Sequence, residues 1–459
     1  MQKQKSKLVV RIIWLIIFVI FIIAFLSIYN KYNFHNFTKS VRETGITSFQ
    51  RDKEIKYSDS NSYKIDNADY NDAMFYQEVQ VTPNTPYRVT CMIKTEQVEN
   101  LDETKTGGAH ICIEDTTERS EFLVGNNDWT KVEFLFNSKN RETVNIGFRL
   151  GGFQEKSRGK AWFSDFVVEE GTQDVSNEWK FGFFIIENAN IKKEENNLEK
   201  NVKLSMDATD VNNIKSNIAR FKTSIAQMSE NRMTADYDII EIAEPITSIS
   251  YDSENGYYAA PEDVYSLINQ YVKEGNYDHI FIVMRLGDIN KNFEGGIHDW
   301  IGLGGMDYFG IGYSNVKIPD KSNYSFTYNA RVNMFPEEVF IHEFLHTLER
   351  NAEENGFERP ELHSYEEYGY RSEDIVGLKQ WYIDYMRKEI KSANGEKIGL
   401  PEEIYTIKTA KRSSFAYAYK MDALEEPENI IEEIQSIINR IEKLFSTDKE
   451  DMEIGWSNR

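Results

Sequence analysis

The chain has 459 residues, with 53 Lys and Arg against 75 Asp and Glu, and a formal net charge of -22. That length allows two or three domains with cores of their own. The acidic balance repels phosphate backbones and excludes nucleic acid as a partner.

Residues 8–29 are almost wholly apolar, and from Ile12 the run is 18 residues long, close to what a bilayer span needs. Lys3, Lys5, Lys7 and Arg11 precede it with no acidic residue, so the positive-inside rule puts the N-terminus in the cytoplasm and everything after residue 30 outside. No small-x-small cleavage site follows; Leu26-Ser27-Ile28 is a poor one. The reading is a single-pass signal anchor over residues 1–30 in the cell membrane, the alternative being secretion after cleavage. Residues 31–45 read as a polar tether.

From 46 to 170 the pattern is strand after strand. Ala73–Val81, Tyr87–Ile93, Ala109–Ile113, Lys131–Phe136, Val144–Leu150 and Ala161–Val168 are short β-rich runs. Pro83-Asn84-Thr85-Pro86, Gly125-Asn126-Asn127-Asp128 and Gly151-Gly152 punctuate some of them. This predicts an all-β sandwich. Cys91 and Cys112 both fall in strands, as a disulfide or as two buried thiols. Neither belongs to a C-x-x-C, so a cysteine zinc site is excluded. Three stretches, Val81-Thr82-Pro83-Asn84-Thr85-Pro86-Tyr87, Asp128-Trp129-Thr130-Lys131-Val132 and Gly159-Lys160-Ala161-Trp162-Phe163-Ser164-Asp165, resemble carbohydrate-binding modules of jelly-roll fold. The resemblance implies the fold more than a ligand; a glycan partner is one expectation, and core roles for Trp129 and Trp162 are the other.

After an Asn- and Glu-rich bridge near 171–180 the period changes. Phe181–Asn190, Tyr237–Ile242 and Tyr277–Leu286 read as strands, and Asp207–Asn231 and Pro261–Glu274 as helices, which is α/β layering. A Gly-rich stretch from Gly295 to Gly312 follows, holding His298. Residues 311–318 are read as an edge strand that pairs with an extended peptide.

Next comes His342-Glu343-Phe344-Leu345-His346, an H-E-x-x-H motif. Histidines four apart lie on one helix face, so both reach one metal, and Glu343 between them is placed as general base. The helix is expected over about 336–350. Pro336, Glu337 and Glu338 suit its first turn, Ile341, Phe344, Leu345 and Leu348 form its core face, and Gly356 and Pro360 supply stop signals. Glu349 sits on the metal face, either to orient a ligand imidazole or as a solvent carboxylate. Glu349 and Ala352 stand where a metzincin carries Gly and His, so the third ligand comes from further on. His363 is favoured; Glu366, twenty residues after His346, is the alternative. Tyr368 and Tyr370 are read as oxyanion donors or as core aromatics. Beyond 371 the chain reads as a helical lobe, with helices over Gly377–Lys388 and Glu428–Phe445.

The strands, helices, edge strand and motif helix resemble the upper lobe of zincin peptidases. The expected architecture is therefore multidomain: a transmembrane helix, a jelly-roll sandwich over 46–170, and an α+β zincin-like metallopeptidase domain over 180–459. What it implies is an extracellular Zn2+-dependent peptidase acting on protein or glycoprotein at a cell surface. The alternatives are a glycan-binding surface protein with an inactive zincin-like domain, and a zinc amidase on wall or glycan substrates.

Overall fold

The computed structural model describes residues 37–59, 61–102, 107–153, 155–172, 175–195, 198–272, 276–286, 302–318, 335–371, 375–408 and 420–422. The expected membrane anchor, His298 and the helix expected over 428–445 lie outside them. Among the described residues, no helix is long and apolar enough to cross a membrane.

Strands β1 (Thr38–Val41), β2 (Thr47–Asp52), β3 (Ser62–Asn71), β4 (Ala73–Gln80) and β5 (Pro86–Asn100) open a sandwich. Strands β6 (Gly108–Ile113), β7 (Gly125–Asn137), β8 (Thr143–Gly151) and β9 (Ser157–Glu170) complete it. One sheet runs β1-β4-β8-β6 and the other follows the path β2-β3-β9-β5-β7. From β3 to β9 each strand crosses to the opposite sheet, which is jelly-roll winding. Alternating residues fill the space between: Phe75, Phe148, Phe163 and Phe166 meet there with ring centroids 4.2–6.2 Å apart. The sandwich begins at Thr38, inside the segment read as a tether, because β1 completes an edge beside β4. Cys91 and Cys112 are free, buried thiols in different sheets. Burial raises both, Cys112 to about 11, so neither is a ready thiolate at neutral pH.

The chain then forms β10 (Glu178–Ile186) and the hairpin β11 (Asn188–Glu195) with β12 (Leu198–Ser205). Helix α1 (Ala208–Met228), β13 (Thr234–Ile242) and the small hairpin β14 (Ser250–Asp252) with β15 (Gly256–Tyr258) follow. Next are α2 (Pro261–Ile268), β16 (His279–Arg285), β17 (Gly302–Tyr308) and β18 (Ile311–Ile318), then α3 (Glu338–Glu354) and α4 (Ile375–Arg387). The central sheet runs β13-β10-β16-β18-β17, parallel except for the antiparallel edge strand β17.

Both faces of this sheet are covered, which is why β16 and β18 are buried at every position. Phe181, Phe183, Phe281 and Val316 pack against α1, α3 and α4. Phe184, Ile282 and Tyr313 pack on the other side against α2 and the β11–β12 hairpin. Residues 311–318, expected at the edge, are therefore internal; the Gly-rich β17 takes the edge. The described part of the C-terminal lobe holds one α-helix, three short strands at Ile390–Lys391, Lys397–Ile398 and Lys420–Asp422, and a 3-10 turn at Glu402–Thr406.

Lys39–Met421 form one compact unit, so sandwich and α/β part pack together. Lys139 pairs with Glu354 at 2.8 Å, and Thr117 donates to Asp307 at 2.7 Å.

His279 sits fully buried on β16 and shares a hydrogen bond with Thr347 Oγ1 at 3.1 Å. Burial, reinforced by Arg350, holds its imidazole well below the ordinary histidine range. The folded state keeps it neutral while the unfolded state takes up a proton below about pH 6.5. Stability is thus fully present above about pH 6.5 and falls as pH drops below it, by up to about 1.4 kcal/mol per pH unit for this group. Urea midpoints at pH 7.5 and 5.5 check this: His279→Gln is expected to narrow the gap between them, and an unchanged gap contradicts it.

Candidate metal centre

Helix α3 carries the motif. Glu337 and Glu338 lie at its N-terminus, where the helix field favours acids. Glu337 accepts from Ser224 Oγ at 2.5 Å. The apolar face, with Ile341, Phe344, Leu345 and Leu348 fully buried, holds the helix against the sheet. The helix ends at Glu354; Gly356 (φ +72°) turns the chain back, with Phe357 N–H donating to the Ala352 carbonyl at 2.8 Å.

The turn returns His363 to the helix. His342, His346 and His363 present ring nitrogens within 4.8 Å of one another. His342 Nε2 lies 3.2 Å from His346 Nε2 and 3.0 Å from His363 Nε2. Glu366 is exposed on the following 3-10 turn and is not in the cluster.

The protonation of two rings follows from their other nitrogens. Tyr382 O–H donates to Glu338 Oε1 at 2.5 Å, so its oxygen accepts from His342 Nδ1, 2.9 Å away. Glu349 Oε2 accepts from His346 Nδ1 at 3.0 Å. Both Nδ1 atoms thus carry hydrogen, leaving Nε2 of each as a bare lone pair. Two lone pairs 3.2 Å apart repel unless a cation or a shared proton lies between them. This donor set, three imidazoles with two fixed from behind, fits a zinc-type cation with one position left open. Partial burial, with the neighbouring His346, lowers the His363 pKa.

Glu349 does a second job. Its Oε1 accepts from Leu362 N–H at 2.8 Å, next to His363 in the chain. Trp381 Nε1 donates to the Leu362 carbonyl at 2.9 Å. The loop is thereby clamped from both sides, and the third imidazole is held. Burial alone would raise the Glu349 pKa, but His346, Leu362 N–H and Arg359 bring it below the usual carboxylate range.

Glu343 is buried between α3 and the edge strand β17. A Cβ at Gly302 or Gly304 would collide with its side chain, so glycine there lets the strand pass directly over the helix. Burial, then the nearby Glu338, pushes the Glu343 carboxyl well above its ordinary value, opposed by Gly304 N–H. Arg350 ties the helix to the same strand by donating to the Gly305 carbonyl at 3.0 Å.

The structure places Tyr368 and Tyr370 against α4. Tyr370 O–H donates to Asp384 Oδ2 at 2.5 Å, and Tyr368 stacks on Trp381 with centroids 5.9 Å apart. Both are consumed in packing α4 against the loop. Tyr382 is the phenol that reaches His342, with Glu338 behind it. Glu338 was legible as the i−4 neighbour of His342; Tyr382, 40 residues beyond His342, carried no local signal.

No protein-family model matches this sequence, and no curated protein matches it. Among solved structures, the chain is similar to a family-61 carbohydrate-binding module in complex with β-1,4-galactotriose, at 14% identity over 30% of this chain and 92% of that one, TM-score 0.22. It is similar to a family-4 module at 16% identity over 29% of this chain and 86% of that one, TM-score 0.20. It also matches the enzymatically active domain of tailspike protein 4 of bacteriophage CBA120, at 14% identity and TM-score 0.22, over 30% of this chain and 20% of the tailspike chain. The class defined by the fold itself is a jelly-roll β-sandwich packed on an α/β unit that carries a three-histidine cluster.

Replacing Glu349 tests the clamp. Glu349→Ala leaves the buried Leu362 N–H without its acceptor and is expected to destabilise the protein by about 1–3 kcal/mol. Glu349→Gln, which retains a carbonyl acceptor, is expected to lose less. Urea denaturation in the presence of chelator reads both, and a wild-type midpoint for Glu349→Ala would remove the bridge from the account.

Proposed function

We propose that this chain is a zinc-dependent peptidase of zincin type, held at the cell surface by residues 8–29 and acting on protein or glycoprotein. The single observation that supports it is the convergence of His342, His346 and His363, two of them fixed from behind by Tyr382 and Glu349, beside Glu343 and an open-edged strand. Zinc, when bound, supplies the Lewis acidity that polarises a carbonyl and acidifies water. The chain's own residues do the rest. Glu343 takes a proton from water and returns it to the leaving amine. The edge of β17, which pairs with no further strand among the described residues, takes an extended peptide backbone and lays it along the helix that carries the histidines.

A second reading is a glycan-binding surface protein, with the sandwich as its working part. Trp129 shares its side of β7 with Lys131 and Glu133, away from the core-facing Val132, Phe134 and Phe136. Tyr57, 51% exposed, lies 5.9 Å from it. An exposed tyrosine beside a half-buried tryptophan is a surface on which a sugar can stack. A zinc amidase on wall or glycan substrates differs from the first reading only in substrate.

Metal content separates enzyme from binding protein. The purified full chain is expected to hold about one zinc per chain by mass spectrometry, to lose it in His342→Ala and His363→Ala, and to keep it in Glu366→Ala. Glu343→Gln is expected to keep zinc and lose roughly 10²–10⁴-fold in cleavage of an unfolded protein substrate. Full activity in that variant, or a wild-type chain without zinc, sinks the peptidase reading.

A further inference from the structure

A cavity of about 230 Å³ lies where the sandwich meets the α/β part. By the same measure one bound water needs about 10–15 Å³, so the space is that of a ligand. His110 and Arg119 of the sandwich line it, and each has a buried polar atom without a partner among the described residues.

His110 is 1% exposed. Its Nδ1 lies 3.1 Å from the Gly108 carbonyl, which only accepts, so Nδ1 carries the hydrogen. Nε2 is then a bare acceptor, and it is the atom left unpaired. Burial, with Arg119 and Arg149, keeps the ring neutral. Arg119 is the converse case: Nη2 is a donor without an acceptor. Its guanidinium lies over the Phe309 ring, Cζ 4.1 Å from the centroid, a cation–π contact that restrains the side chain. A buried donor or acceptor left unmade is costly, which favours an occupant that satisfies both.

The charge on the walls narrows the chemistry. Arg149 is already bound to Asp72, and Glu155, Glu262 and Asp307 also line the cavity. With Arg149 paired to Asp72, an anion would meet the Glu155, Glu262 and Asp307 carboxyl side chains, and a cation would meet the Arg119 guanidinium. A hydroxyl both donates and accepts, and so matches His110 Nε2 and Arg119 Nη2 together. The wall also holds Tyr258 and Phe153, the latter 59% exposed, surfaces for the apolar face of a sugar ring.

We infer that this cavity is a saccharide site, taking one sugar ring by hydroxyl contacts to His110 and Arg119 with Phe153 at its rim. It is distinct from the Tyr57–Trp129 surface. Asp307 belongs both to this cavity and to the edge strand β17, so a sugar bound here lies beside the strand on which a peptide would be read.

The site is tested on the full chain by titration calorimetry with methyl glycosides of glucose, galactose, mannose, N-acetylglucosamine and N-acetylgalactosamine, and with acetate as the anion probe. At least one glycoside is expected to bind saturably, at least tenfold more weakly in Phe153→Ala and in Arg119→Met, and unchanged in Trp129→Ala. Phe153 is exposed, so its replacement leaves the fold intact if Arg119→Met does not. Glu343→Gln is expected to bind as wild type does, so this inference and the peptidase reading fail separately. Binding of no glycoside, binding of acetate in their place, or a loss that follows Trp129 and spares Phe153 overturns it.

Discussion

Two bare imidazole nitrogens, His342 Nε2 and His346 Nε2, face each other across 3.2 Å, and a third ring closes on them at 3.0 Å. Left alone, such rings would rotate apart. What prevents this is the layer behind them: Glu338 orients Tyr382, Tyr382 orients His342, and Glu349 orients His346. Glu349 also holds Leu362 N–H, so the fixing of His346 and the return of the loop bearing His363 share a single carboxylate. Trp381, buried in α4, completes the loop's other side.

That layer needs a rigid base, which the five-stranded sheet supplies. Aromatic residues on one face of β10 and β16 pack edge-on against Phe340 and Phe344 of α3, fixing the helix axis. The sheet's edge then passes over Glu343 on glycines alone. A side chain at either position would push strand and helix apart and open the gap in which Glu343 sits. The sandwich braces the same strand and helix from outside, through Thr117 on Asp307 and Lys139 on Glu354.

Much of this was local and therefore readable. Period-two alternation marks most sandwich strands, and the 3.6-residue period with H-E-x-x-H marks α3 and two ligands on one face. His363 could be named because imidazole is a good ligand and Gly356 allows the chain to turn. The edge strand was misplaced by one strand, since 311–318 has the apolar run of a strand while 302–308, Gly-rich, lacks one. Tyr368 and Tyr370 lie close to His363 in sequence, but their partners, Asp384 and Trp381, lie on another helix.

The sequence by itself determined the motif helix, two of the three clustered histidines, and the succession of β and α/β segments, because each follows from spacing within about twenty residues. Only the tertiary structure decided that His363 rather than Glu366 joins the cluster, that Tyr382 and Glu349 set two of the rings, and that β17 is the edge. Those outcomes depend on which side chains meet across long chain separations. Burial and hydrogen-bond satisfaction in three dimensions select them, and no local period records that selection.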